Sequence, residues 1–305
     1  MGNSMRKFLC TRNRDSADAY VTALLNAGFM ETKNPTEADF WLYDYERDHY
    51  NKTLNLFKDK PKFIYPHVPY GWWVWDGICA VDDVSCNFVV SEGAKQGMRL
   101  YGYPHPIEVC GFPRCELRPF QPTQGMKLLF APSHTLGKSG KYPTPECVDY
   151  HRAAMRHIIA LKDHFESVTV RYAYDLTTSG FTEFAHESGI TFTRAEALSV
   201  SDSLKAIEQA DIIISCGTFG YLSLAIGKPT ILYGNRTPAS RAGKVKHYAS
   251  YKHLIDFPKP FESLTFDDVA NVGLQPDPEV EQWKSLMLGQ PFNAEKFISV
   301  VREFV

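Results

Sequence analysis

The stretch DIIISCGTFGYLSLAIGKPTILYG, residues 211–234, decides the fold. Ile212–Ile214 form a short apolar run bounded by turn residues, the pattern of a strand buried on both faces. Ser215, Cys216, Gly217, Thr218 and Gly220 then add almost no side-chain volume, and Phe219 is the one bulky residue among them. An apolar helix follows, then Gly227-Lys228-Pro229, then a second buried strand, PTILYG (229–234). A strand that breaks into a small-residue turn and opens a helix leaves main-chain N–H groups unpaired at the helix start. The helix dipole adds partial positive charge there, and such an end attracts phosphate. Gly217 and Gly220 would let oxygens approach the main chain, and Ser215 and Thr218 can donate hydroxyls. The same residues also suit a tight turn that does no more than pack strand on helix. The pattern G-x-x-x-x-G-K-[ST] is absent, so this is not a P-loop.

Outward from this stretch, strand and helix patterns alternate. MKLLFAPS (126–133), SVTVRYAY (167–174) and GITFTRA (189–195) read as strands, with helices over 146–165 and 200–210. The first part of the chain repeats the alternation. KFLCT (7–11), ADFWLYDY (38–45), KFIYPHV (62–68), CNFVVSE (86–92) and IEVCGFP (107–113) read as strands, and 15–29, 51–60 and 92–102 as helices. ELRPFQPTQG (116–125), with two prolines, a glycine and no apolar run, is the best linker. The sequence therefore predicts an α/β protein of two doubly wound Rossmann-like domains, 1–120 and 121–305, the second ending in a helix over NAEKFISVVREFV (293–305). Ligands of such sheets bind at the carboxyl ends of the strands, and two facing domains would make a cleft.

Composition narrows the classes. Of 305 residues, 44% are hydrophobic and 22% charged, which suits a folded protein with a sizeable core. A net charge of -2 argues against a general nucleic-acid coat and leaves room for a local basic face. Seven cysteines without a C-x-x-C imply reduced thiols in a cytoplasmic protein. No apolar run reaches the roughly 18 residues of a membrane span, and the N-terminus lacks a signal-peptide core.

Two further loops of the second domain are basic. FAPSHTLGKSGKYP (130–143) holds Ser133, His134, Thr135, Lys138 and Lys141 and no acid. It follows the domain's first strand, and in a doubly wound sheet the loops after the first and fourth strands can lie side by side at the switch point. NRTPASRAGKVKHYASYKHL (235–254) carries Arg236, Arg241, Lys244, Lys246, Lys252 and two histidines, again without an acid. An arginine such as Arg236 can hold a diphosphate in bidentate fashion. Arg171 and Arg194 stand at the ends of the second and third strands. Each loop could also be a solvated face.

With these residues in view, DIIISCGTFGYLSLAIGKPTILYG resembles the donor-binding segment of GT-B glycosyltransferases, a superfamily that includes UDP-GlcNAc 2-epimerases and CDP-glycerol glycerophosphotransferases. LLFAPSHT resembles the opening strand and loop of the same domain. FVVSEGAKQGMRLYGYPHPIEVCGFPR (88–114) resembles the closing part of the N-terminal domain. The resemblance implies a nucleotide-sugar donor, a UDP-sugar above others, held without a required metal by Ser133, His134, Thr135, Lys138, Arg171, Arg194, Ser215, Gly217, Thr218, Phe219, Gly220 and Arg236. Two departures stand out. The superfamily often places an acid five residues before the glycine of G-K-P to bind the donor ribose, and here that position is Leu222. A hydroxyl from Tyr221 or Ser223, or a group elsewhere, would have to replace it. The R-x-H of the glycerophosphotransferases is Arg171-Tyr172-Ala173, and their H-G pair is absent at His67-Val68, which ranks polyol-phosphate transfer below sugar transfer.

On the acceptor side, YPHVPYGWWVWDG (65–77) concentrates Tyr65, Tyr70, Trp72, Trp73 and Trp75. Flat aromatic faces suit stacking on sugar rings or on an extruded base, and equally suit core packing. An inverting transfer needs one base for the acceptor hydroxyl. His67 leads, with Asp44 and Asp76 in reserve, and a retaining transfer requires none. The acceptor is a carbohydrate or small metabolite, or a hydroxymethylated pyrimidine in DNA. A nucleotide-sugar 2-epimerase and a nucleotide-binding module without turnover are the competing readings.

Overall fold

The computed structural model describes residues 5–11, 17–44, 51–66, 84–100, 102–113, 117–132, 145–172, 181–195, 200–215, 218–233, 259, 261–288 and 290–305. The chain divides into two compact units, Met1–Leu117 with Leu286–Val305, and Arg118–Ser285.

In the first unit, β1 (Lys7–Cys10) runs into α1 (Ala17–Asn26), then β2 (Met30–Glu31), β3 (Phe40–Tyr43), α2 (Asn51–Leu56), β4 (Lys62–Ile64), β5 (Cys86–Val89), α3 (Glu92–Leu100) and β6 (Ile107–Val109). The six strands form one parallel sheet in the order β2-β1-β3-β4-β5-β6. Strands covered on both faces read as continuous apolar runs, and every residue of β3 and β4 is buried. One face carries a row of phenylalanines, one each from β1, β3, β4 and β5: Phe8, Phe40, Phe63 and Phe88, with successive ring centroids 5.8, 5.7 and 6.0 Å apart. Each contributes roughly 1.5–3 kcal/mol on burial, so the row must be roofed.

The roof comes from both ends of the chain. Tyr20, Val21 and Leu24 of α1 cover it together with Phe297, Ile298 and Val301 of the last helix, Ala294–Phe304. Phe297 lies 4.8 Å from Phe88, and Phe304 lies 5.9 Å from Phe63. The segment before this helix is pinned to the same unit. Phe112 donates its N–H to Gln290 O at 2.7 Å, and Ser91, which caps α3 by accepting from Ala94 N–H, donates its hydroxyl to Met287 O. The sequence places the terminal helix with the second domain. It packs instead on the first, because the apolar row that needs cover is there.

In the second unit, β7 (Lys127–Ala131) is followed by α4 (Pro145–Leu161), β8 (Ser167–Tyr172), β9 (Ile190–Arg194), α5 (Val200–Glu208), β10 (Ile212–Ser215), α6 (Thr218–Ala225) and β11 (Thr230–Leu232). Its parallel sheet has the order β11-β10-β7-β8-β9. Read from β9, these are the unit's third, second, first, fourth and fifth strands, the Rossmann order. Leu128, Phe130, Val168, Val170, Ile212 and Ile214 meet Met155 and Ile158 of α4 in its core.

Two helices escape the sequence reading, α7 (Phe266–Leu274) and α8 (Pro278–Met287); the terminal helix is therefore α9. Their start signals are real. Thr265 and Asp268 form a capping box, each side chain taking the other's N–H. Lys259 and the Thr265 amide bonded to Asp268 push its carboxyl down to about 2. Pro278 opens α8, where its missing N–H does no harm.

The glycine of G-K-P has a structural task. Gly227 sits at φ 80° at the end of α6, its N–H bonded to Leu224 O and that of Lys228 to Ser223 O, which is the Schellman closure of a helix. A Cβ there would stand 2.0 Å from Pro119 O, because the linker runs along this turn with Gln121 N–H on Gly227 O.

Two expectations follow. Phe297→Ala should cost about 3 kcal/mol, and amide exchange should accelerate in β1, β3, β4 and β5 while β7 and β10 keep their protection. Gly227→Ala should lower the urea midpoint of the second unit by more than Gly189→Ala. Gly189 has φ 78°, and a Cβ added there would have its nearest neighbour, in the Lys162 side chain, 4.0 Å away, so that change carries only the backbone strain of about 1 kcal/mol.

Candidate functional site

The strand order of the second unit reverses between β7 and β10. They are direct neighbours, Ser215 level with Ala131. From that point the chain passes to β8 and β9 on one side and to β11 on the other, so the segments leaving β7 and β10 start side by side at the carboxyl edge, as the sequence predicts. Ser215 is fully buried, and its hydroxyl donates to Ala131 O at 2.6 Å. Its one proton therefore ties two strand ends together.

α6 opens directly behind this junction. Beyond its first turn it is buried all round, as its uniform apolarity dictates. Gly220 is small because the Leu232 side chain of β11 lies 2.4 Å from where its Cβ would be. The closeness at that glycine is helix-on-sheet packing, and the main-chain N–H is what Gly220 can offer a ligand. The first-turn amides of α6, at Thr218, Phe219 and Gly220, have no intrahelical acceptor.

The stand-ins expected for the ribose-binding acid need correcting. Leu222 is buried. Ser223 is fully buried, donates to Gly220 O at 2.7 Å and accepts from Thr230 Oγ1 at 2.9 Å. Tyr221 is fully buried, its ring stacked on Trp283 of α8 with centroids 5.1 Å apart. Both are core residues.

Phe219 behaves differently. It is only half-buried, and the Arg171 guanidinium lies over its ring, 5.1 Å from the centroid. Arg171 comes from the carboxyl end of β8, across β7 from α6. Its Nη2 also donates to Asp202 Oδ2, in the first turn of α5. The structure thus brings together two residues named from sequence, Arg171 and Phe219, and adds Asp202. The sequence signal for Asp202 was its place in the first turn of a helix that starts at this same edge. Arg194 ends β9 level with Tyr172, one step beyond the Thr193–Arg171 pair. Side chains alternate along a strand, so Arg194 leaves the sheet on the opposite face, and it is exposed.

In the first unit, Asp44 directly follows β3 at the carboxyl edge and is fully buried. The same edge is fixed by Tyr65, whose hydroxyl donates to Thr11 O at 3.1 Å, and by Trp41, whose Nε1 donates to Thr11 Oγ1 at 2.7 Å. Tyr65 packs on Tyr20 at 5.2 Å, so of the aromatic cluster this member is core. His67, Asp76, Tyr70, Trp72, Trp73, Trp75, Ser133, His134, Thr135, Lys138, Gly217 and Arg236 lie outside the described residues, as does the Thr218 side chain.

Other groups are set apart from this chemistry. Burial pushes the Cys86 and Cys110 thiols up to about 12, which leaves them protonated and unreactive. A cavity of about 560 Å³ bordered by Phe120, Lys228, Thr230 and Asn271 lies at the amino end of β11, away from the carboxyl edge. Among the described residues no helix is long and apolar enough to cross a membrane, and no three His, Cys, Asp or Glu side chains converge as metal ligands.

No family model matches the sequence, and no curated protein does. Solved structures do match. A putative UDP-N-acetylglucosamine 2-epimerase from Listeria monocytogenes aligns with 98% of this chain and 96% of its own, at 10% identity and a TM-score of 0.52. MnaA of S. aureus, solved with UDP, aligns over 98% and 97% at 10% identity and the same TM-score of 0.52. MurG of Acinetobacter baumannii aligns over 98% and 99%, at 10% identity and a TM-score of 0.48. At such identity the likeness to the first two is one of fold, and the fold is GT-B: two Rossmann-like α/β units and a C-terminal helix.

Proposed function

We propose that this chain is a glycosyltransferase that moves a sugar from a nucleoside-diphosphate donor to a hydroxyl acceptor. The observation that carries the reading is the convergence of an arginine on the start of α6 at the β7–β10 reversal. An N–H-rich helix end and a guanidinium at one strand edge make a place for a diphosphate. The acceptor oxygen attacks the anomeric carbon, the bond from that carbon to the diphosphate oxygen breaks, and the nucleoside diphosphate leaves. Arg171, the α6 amides and the basic residues of 130–143 and 235–254 stabilise the leaving charge, which is why we propose metal-independent transfer. A UDP-sugar is the favoured donor, since the fold neighbour MnaA was solved with UDP. The first unit carries the acceptor, with His67 as the base and Asp44 and Asp76 as reserves. That the sequence carries both the basic run of 235–254 and the aromatic stretch of 65–77 favours a second acceptor class, a hydroxymethylated pyrimidine in DNA.

The lack of a carboxylate on α6 weighs against a 2-epimerase. A binding module would take the nucleotide and turn nothing over.

A thermal-shift screen against UDP-, CDP-, GDP- and ADP-sugars tests the reading. The matching donor at a hundred times its Kd adds about 2.7 kcal/mol and should raise the midpoint by roughly 5 °C. No shift with any of them removes the proposal, and a shift without transfer or donor hydrolysis leaves the module. A DNA acceptor would show affinity falling steeply with salt, and a sugar acceptor would not. His67→Ala should cut turnover about 100-fold with donor affinity unchanged; full activity discards His67 as the base.

A further inference from the structure

We infer that Asp202 is a positioning residue for the donor diphosphate, holding the Arg171 guanidinium over the Phe219 ring so that its remaining edge faces the phosphate at the start of α6. This rests on the transferase reading above and gives one site of it a mechanism. Three elements meet here: Arg171 at the end of β8, Asp202 in the first turn of α5, and Phe219 in the first turn of α6. The Arg171 and Asp202 side chains are 11% and 22% exposed, so water screens their attraction little.

A free arginine chain samples many rotamers, and ordering it on binding opposes affinity. Here two contacts fix it in advance. Asp202 takes Nη2, and the ring of Phe219 takes one face of the guanidinium. A guanidinium carries five N–H donors in a planar fork, and among the described residues Asp202 is the acceptor for one nitrogen. The Nε and Nη1 side is then presented in a set direction, as bidentate phosphate binding requires.

The same arrangement gives Phe219 a task other than touching the donor. Its ring is the platform under Arg171. That explains why one large residue interrupts an otherwise small-residue corner: a leucine or alanine would leave the guanidinium without its aromatic face. A purely structural ion pair, pinning α5 to the sheet edge, is the competing account. It would alter stability and leave phosphate affinity alone.

The experiment is calorimetry with UDP, and with CDP, GDP and ADP if UDP is silent, on the full chain and its variants, with thermal midpoints measured alongside. Asp202→Asn should weaken UDP binding about tenfold, the scale of a lost hydrogen bond to a charged group. Arg171→Ala should weaken it at least as much. Adding Asp202→Asn to Arg171→Ala should change nothing further, since Asp202 acts through Arg171, and Asp202→Glu should recover part of the loss. Should Asp202→Asn not fold, Phe219→Leu tests the same clamp, with several-fold weaker binding expected. A lowered midpoint with unchanged or tighter nucleotide binding, or a full Asp202→Asn effect persisting in the Arg171→Ala background, overturns the inference and leaves the transferase reading standing. If the unmodified protein binds none of the four nucleotides, the transferase reading fails and takes this inference with it.

Discussion

The pairing of β10 with β7 governs the second unit. Their paired residues are 84 positions apart in the chain yet exchange a full parallel ladder, Leu128–Ala131 against Ile212–Ser215. Because β8 and β9 have already filled the other side of β7, the two connections that leave the shared edge must diverge. A crevice results from connectivity before any side chain is chosen. The Ser215 hydroxyl on Ala131 O then locks the strand ends. This fixes where α6 starts and which way its first-turn amides point.

The placement of cations follows the same polarity. Helices that cross a parallel sheet end at the amino edge and begin at the carboxyl edge, so orphan carbonyls collect at one and orphan N–H groups at the other. Lysines serve the first. The buried Lys62 ammonium donates to the carbonyls of Phe57, Lys58 and Lys60 behind α2, Lys60 to Ala38, and Lys228 to Ala210 and Glu208 at the end of α5. A buried charge is tolerable when so many dipoles meet it. At the carboxyl edge the residue is an arginine, and its described acceptor is a side chain, Asp202, rather than a helix end. The distinction separates cations that complete the fold from one available for other work.

How much the sequence revealed depends on how local each determinant is. Buried parallel strands are continuous apolar runs, so Phe40–Tyr43, Lys127–Ala131 and Ile212–Ser215 were legible within a residue or two, and so was the Rossmann-like alternation. α7 and α8 are not, because they are short, nine and ten residues, and the capping pair Thr265–Asp268 is a weak signal by itself. The destination of α9 was illegible for another reason. Its amphipathic face is plain, but the phenylalanine row it covers lies more than two hundred residues earlier. Small residues are ambiguous in a third way. Gly220 and Gly227 read from sequence as openings for a ligand or as family signature, and a Cβ at either would meet Leu232 or Pro119 of the chain itself. A glycine announces a close approach without naming what approaches. Arg171 could be named from resemblance, whereas Asp202 needed three-dimensional proximity.

The leucine at 222 gains a physical reason from this packing. α6 is surrounded: Leu232 lies against Gly220, the Thr230 hydroxyl reaches Ser223, and Trp283 of α8 stacks on Tyr221. A carboxylate at 222 would enter that interior without a compensating cation on the helix, at a cost of several kcal/mol. A helix sealed in this manner cannot also hold a ribose along its flank. On the proposed reading the donor is then gripped at its phosphates by the start of α6 and by Arg171, and its sugar hydroxyls are met by other elements. Recognition concentrated at the diphosphate is less demanding of the base than recognition that includes the ribose, so the nucleotide preference has to arise where the base itself makes contact, outside α6.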